Sequence, residues 1–127
     1  MDWSALLRNY PYAVSLVLFG LGIHTVLARP NLLIKLIGLN IMQCGVFLFL
    51  VATGNLAGAR PPIIDPAQPN GVYANPLPTA LILTGIVVSV SVTAFALGLI
   101  VQVHRMYGTI DPTAIVAAYR QQKGAAE

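Results

Sequence analysis

Apolar residues fall into three long runs, at 12–28, 32–53 and 77–103, with polar residues and prolines gathered between them. A hydrocarbon core about 30 Å thick takes roughly 20 helical residues, so the second and third runs are long enough to cross it. The first is short, but Leu6, Leu7 and Tyr10 can extend it outward. The second run carries one charge, Lys35, near its start, from where a long side chain can snorkel to the headgroups; the third carries none. Each run is therefore expected to be a membrane-spanning helix. A cleaved signal peptide would need a basic n-region, whereas Met1, Asp2 and Trp3 are followed by Arg8 alone before the apolar stretch. The first helix is expected to stay as an anchor.

The connections differ. Arg29, Pro30 and Asn31 make a tight turn, so the first two helices should be antiparallel neighbours. The 54–76 loop is long and holds Pro61, Pro62, Pro66, Pro69 and the turn pair Asn70-Gly71. It reads either as a stiff strap over the bundle or as a plain link, and Ile63, Ile64, Val72 and Tyr73 are apolar cargo that favours the strap. Beyond the last run, Asp111-Pro112 reads as an N-cap followed by proline at the first helical position, predicting a short helix over 112–122. The organisation is thus a three-helix membrane domain, 1–107, and a tail, 108–127.

Composition agrees with the pattern. Of 127 residues, 57% are hydrophobic and only 9% charged, too few charges to cover a water-exposed surface. Three crossings place Arg8 and Arg60 on one side, and Arg29, Lys35, Arg105, Arg120 and Lys123 on the other. The positive-inside rule makes the second side cytoplasmic, giving an N-out, C-in multi-pass protein. Trp3 and Tyr10 then suit an outer aromatic belt and Tyr107 the inner one. The net charge of +3 comes from residues at the edges of apolar runs, not from a stripe, which argues against nucleic acid as a partner. Cys44 is the single cysteine, so no disulfide framework forms.

No nucleophile–base constellation and no phosphate-cradling glycine loop is present, and His24, Cys44 and His104 have no useful metal-ligand spacing. No cofactor is implied. The polar residues inside the runs are the candidates for function. Gln43, Ser89 and Ser91 lie near mid-membrane, with Asn40 and His24 slightly toward the cytoplasm. At about 100° per residue, Asn40, Gln43 and Cys44 share one face of the second helix, and Gly38 and Gly45 roughly the opposite one. In the third helix, Thr84, Ser91, Gly98 and Gln102 separate from Ser89 and Thr93. Two readings stand for these groups: interhelical hydrogen-bond glue, or a hydrated polar path formed by Asn40, Gln43, Ser89, Ser91, His24 and Lys35. At the start of the third helix, Asn75 can cap while Pro76 and Pro78 need no helical N–H partner, so the helix can begin abruptly at the outer boundary.

The stretch "NPLPTALILTGIVVSVSVTAFALGLI", residues 75–100, closely resembles the third-helix signature of the small C-type subunit of the multisubunit Mrp-type cation/proton antiporter. That pattern runs Asp-Pro-Leu-Pro-Gln-Ala-Leu-x-Leu-Thr-x-Ile-Val-Ile. It is matched by Pro76, Leu77, Pro78, Ala80, Leu81, Leu83, Thr84, Ile86 and Val87. The likeness covers "LIKLIGLNIM", residues 33–42, and the three-crossing layout, and extends more distantly to the NuoK-like chain of respiratory complex I and to membrane-bound hydrogenase subunits. Asn75 and Thr79 stand where the pattern has Asp and Gln, and Asn40 and Ser89 near where complex I relatives carry glutamates.

The resemblance implies an all-α accessory subunit of the bacterial plasma membrane. Its partners would be the large antiporter-like subunits and other small ones, and the ions moved by the complex would be Na+ and H+. Its alternative is a subunit of a redox-driven complex I-related or hydrogenase machine. No carboxylate lies in any of the three runs, and Asn, Gln, Ser and Thr do not change charge near neutral pH. Such a chain is not by itself a pump.

Overall fold

The computed structural model describes residues 3–54, 58–63, 66–67 and 69–126. The described residues form five helices: α1 (Trp3–Arg8), α2 (Tyr10–Ala28), α3 (Leu32–Gly54), α4 (Leu77–Tyr107) and α5 (Pro112–Gly124). Of these, α2, α3 and α4 are long and apolar enough to cross a membrane. Their bounds follow local chemistry. Pro11 has no N–H and its ring clashes with the carbonyl four residues back, so α1 stops at Arg8 and a new helix begins at Tyr10. The apolar pattern, which runs through this break, does not predict it. Pro30 forces the residue before it out of helical geometry, and Arg29 is extended (φ −110°, ψ 128°), ending α2. The side chain of Asn31 then accepts the Leu33 N–H at 2.9 Å and starts α3.

The 31 residues of α4 span about 46 Å, more than the hydrocarbon core requires, so the helix runs past Val103 through His104 and Arg105. Gly108 ends it in the left-handed region (φ +70°), donating to the His104 carbonyl at 2.8 Å. Asp111 caps α5 by accepting from the Thr113 N–H at 3.0 Å and the Thr113 hydroxyl at 2.7 Å. Those two hydrogen bonds, side-chain first and backbone second, hold the Asp111 carboxyl below its ordinary value.

The helices pack in the order α2, α3, α4, with α3 in the middle and its longest contact along α2. The α2–α3 seam is built for close backbone approach. A Cβ placed on Gly22 would lie 2.5 Å from the Met42 backbone nitrogen, and one on Gly45 would lie 2.8 Å from that of Phe19. Gly38 faces Thr25 and the Gly22 carbonyl at close range too, with an added Cβ 3.0 Å from the first and 3.1 Å from the second. Ser15, buried in the same seam, donates its hydroxyl to the Tyr12 carbonyl at 2.7 Å. Tyr12 closes the loop end of the seam, donating to the Ala52 carbonyl at 3.0 Å and meeting Phe49 edge-on, with ring centroids 5.7 Å apart. Small residues are the usual means by which helices associate where lipid supplies no hydrophobic drive.

α3 and α4 are joined at both ends. At the loop end, Pro78 packs on Gly54, where an added Cβ would meet the proline ring at 3.2 Å. At the other end the Leu32 N–H donates to the Ile110 carbonyl at 3.2 Å, tying the α4–α5 linker to the first turn of α3. The long loop folds back on itself: Arg60 forms an isolated bridge with Tyr73, its N–H donating to Val72 and its carbonyl accepting from Ala74, both at 2.9 Å. Ile63 and Val72 remain exposed, so the loop does not bury this part of its apolar cargo in the isolated chain. Ile64 lies outside the described residues.

Candidate functional site

α3 has two working faces because its glycines and its amides are out of phase. Gly38 and Gly45 are buried against α2, while Asn40 and Gln43 turn to α4. Across this second seam the Thr93 hydroxyl donates to Asn40 Oδ1 at 2.9 Å, and the Ser89 hydroxyl donates to Gln43 Oε1. In an antiparallel pair a step of three on α3 meets a step of four on α4, so the two hydrogen bonds stack as successive rungs. Both rungs fall within about one turn of the middle of α3 and α4.

Beside the rungs, α3 and α4 form an open groove of about 440 Å³, walled by Asn40, Gln43, Ser89 and Thr93 together with Cys44 and Phe47. Gly85 admits the Phe47 ring, since a Cβ there would come within 2.8 Å of it. Toward the α5 end a separate groove of about 430 Å³ contains Lys35 and is otherwise lined by apolar side chains such as Leu36 and Ile100. Half-buried Lys35 therefore lays an aliphatic stem along apolar surface, as a snorkelling lysine does.

The structure brings together only part of the expected set. Asn40, Gln43 and Ser89 meet in one seam. Thr93, which shares the face of Ser89, completes it, and the pairing of Asn40 with a hydroxyl four residues beyond Ser89 is the signal that identifies it. Ser91 points elsewhere, donating to the Val87 carbonyl of its own helix at 2.9 Å. His24 is exposed on α2, the helix that packs against the opposite face of α3. Thr84 makes a long contact of 3.5 Å to the Ala80 carbonyl. At the helix start, Asn75 Oδ1 accepts the Leu77 N–H at 3.0 Å, and the Ala80 N–H reaches the Pro76 carbonyl at 3.1 Å. Orphan donors at this end are thus reduced by a side-chain acceptor and by two prolines.

Chemically the two rungs offer hydroxyls and amides only, with the Cys44 thiol beside them in the groove wall. No Asp or Glu lies in α2, α3 or α4, and no cluster of three or more metal-ligating side chains occurs among the described residues. Hydroxyls and amides can hold water, orient a helix or donate to a charge, but they do not carry a proton by ionising.

Comparison with known proteins places this arrangement. The family model described as NADH-ubiquinone/plastoquinone oxidoreductase chain 4L matches residues 10–118. The C-type subunit of a Na(+)/H(+) antiporter from Alkalihalophilus pseudofirmus is 36% identical over 75% of this chain and 82% of its own length. The C-type subunit of a probable K(+)/H(+) antiporter from Rhizobium meliloti is 35% identical over 69% of this chain and 77% of its own. Among solved structures, a chain of the membrane-bound sulfane sulfur reductase, an archaeal respiratory membrane complex, superposes with a TM-score of 0.72 at 37% identity. That match covers 81% of this chain and 94% of the other.

Proposed function

Because this chain belongs to the NADH-ubiquinone/plastoquinone oxidoreductase chain 4L family, we propose that it is a small accessory subunit of a multisubunit monovalent cation/proton antiporter. It packs between larger antiporter-like subunits of a bacterial plasma membrane, with its N-terminus outside and α5 in the cytoplasm. It is a transporter component, not an enzyme. The observation that carries this reading is the polar pattern of the three spans: Asn40, Gln43, Ser89 and Thr93, all uncharged, meet near mid-membrane on one seam beside an open groove, and no acid lies anywhere in the helices. A subunit of this kind supplies a polar wall and a rigid spacer, and leaves ionisable relays to its neighbours. The relatives are named for two different cations, Na+ and K+, which suits a wall that carries no ion-binding carboxylate.

The solved neighbour from a respiratory complex favours a second reading, in which the same three helices serve a redox-driven machine. One preparation separates the two. Purifying the assembly through a tag on this chain should recover large antiporter-like subunits without iron–sulfur proteins, and the reconstituted assembly should exchange Na+ or K+ for H+. Stoichiometric iron–sulfur subunits in that preparation would replace the first reading by the second.

A further inference from the structure

The two rungs use only half of each amide. Ser89 and Thr93 donate to the amide oxygens, and among the described residues neither Asn40 Nδ2 nor Gln43 Nε2 has a hydrogen-bond partner. No buried side-chain polar atom is left without a partner among those residues, so both nitrogens keep some exposure, and both side chains line the groove beside the rungs. Within a membrane, N–H groups facing out at that depth need an acceptor, because lipid offers none. The groove beside them, about 440 Å³ and open along its length, has room for side chains from another helix.

We propose that this groove receives a membrane helix of a neighbouring subunit that presents a carboxylate at mid-membrane, held by the amide N–H groups of Asn40 and Gln43. Charge complementarity selects the occupant. The groove walls carry two amide N–H groups without a partner, whereas each amide oxygen already accepts a hydrogen bond, and a carboxylate is acceptor-only, with two oxygens able to meet two amides. The spans contribute Lys35 and Arg105 as charges and no acid, so nothing in this chain repels an anion at that level. Cys44 is the only titratable side chain on the groove walls; Lys35 lies in the next groove along α3, and His24 is on α2, across the opposite face. The inference rests on the antiporter reading, in which an ionisable group must stand somewhere along the path and the spans of this chain have no carboxylate to offer.

Amides that donate to a carboxylate favour its charged form and lower its pKa. Replacing Gln43→Met keeps the volume and removes the donors. In the intact, reconstituted complex, the acid limb of the exchange-rate profile should move to higher pH by about one unit, with a comparable move for Asn40→Leu and a larger one for the pair. Gln43→Glu, which keeps an acceptor for Ser89 and sets two carboxylates against each other, should move the limb further in the same direction. Each variant complex is first checked for its full set of subunits, and Gln43→Glu serves where an apolar variant fails to assemble. A fall in rate with an unmoved profile, as loss of a water-lined wall or of simple helix glue would give, overturns the carboxylate while leaving the antiporter reading standing. Absence of cation/proton exchange in the unsubstituted complex would instead remove the reading beneath it.

Discussion

α3 meets its two neighbours by opposite means. Against α2 it presents Gly38 and Gly45, and the backbones come so close that a single methyl group on Gly22 or Gly45 would overlap main-chain atoms. Against α4 it presents Asn40 and Gln43, and the contact is made by side-chain tips reaching hydroxyls, with a groove left alongside. The first seam is made backbone to backbone and is intolerant of volume added at Gly22 or Gly45, although a groove of about 440 Å³, lined by Tyr12, Phe19 and Phe49 among others, runs beside it as well. The second is polar, and the groove beside it is the one walled by amides and hydroxyls. One helix can serve both because a period of about 3.6 residues puts positions 38 and 45 on one side and 40 and 43 on the other. Close backbone packing and polar side-chain contact are thereby separated within a single span.

This contrast predicts graded responses. The largest belongs to the α2–α3 seam. Gly22→Ala places a Cβ against the Met42 backbone and should cost about 1–3 kcal/mol or more, seen as loss of the chain from the purified complex. Gly20→Ala and Gly98→Ala, where nothing of this chain lies within 4 Å, should leave the stability of the purified chain in detergent unchanged, whereas Gly22→Ala lowers it. Equal effects at all three glycines would remove the distinction between seams. Next comes the joint at the loop end. Replacing Pro76 and Pro78 together by alanine frees the backbone at the start of α4 and removes the ring that rests on Gly54, so fewer subunits should co-purify.

Smaller effects belong to the polar seam. Ser89→Ala or Thr93→Val should each lower stability in detergent by about 0.6–1.7 kcal/mol, with assembly retained, while Ser91→Ala should be silent because its hydroxyl bonds only its own helix. The smallest is confined to the tail. The depressed pKa of Asp111 gives the α5 cap a contribution that is complete above the ordinary value of 3.8 and is lost as pH falls through the lower folded value. Hydrogen exchange in α5 should thus be insensitive to the state of this carboxyl at neutral pH. It should rise only in strong acid, and Asp111→Asn should abolish that rise.

Much of this division was legible in the chain itself. Uninterrupted apolar runs located the spans, Asp111-Pro112 located α5, and spacing alone separated the amides of α3 from its glycines. Apolar content does not register the break at Asn9, since Pro11 acts through a missing donor and a steric clash and not through hydropathy. Rotational setting was also hidden: Ser89 and Ser91 are equally polar and equally deep, and only the packing of α4 on α3 decides which one crosses the seam. The Arg60–Tyr73 bridge depends on a pairing between distant loop residues, which local turn signals do not specify.

The central claim is that this chain frames a path and does not itself carry charge across. Reconstituting the purified chain alone into sealed vesicles, with a Na+ gradient imposed and internal pH followed by a trapped dye, tests that claim most directly. The account predicts no pH change beyond that of empty vesicles, and exchange appearing only when the companion subunits are present. Sustained Na+-driven proton movement by the isolated chain would contradict it.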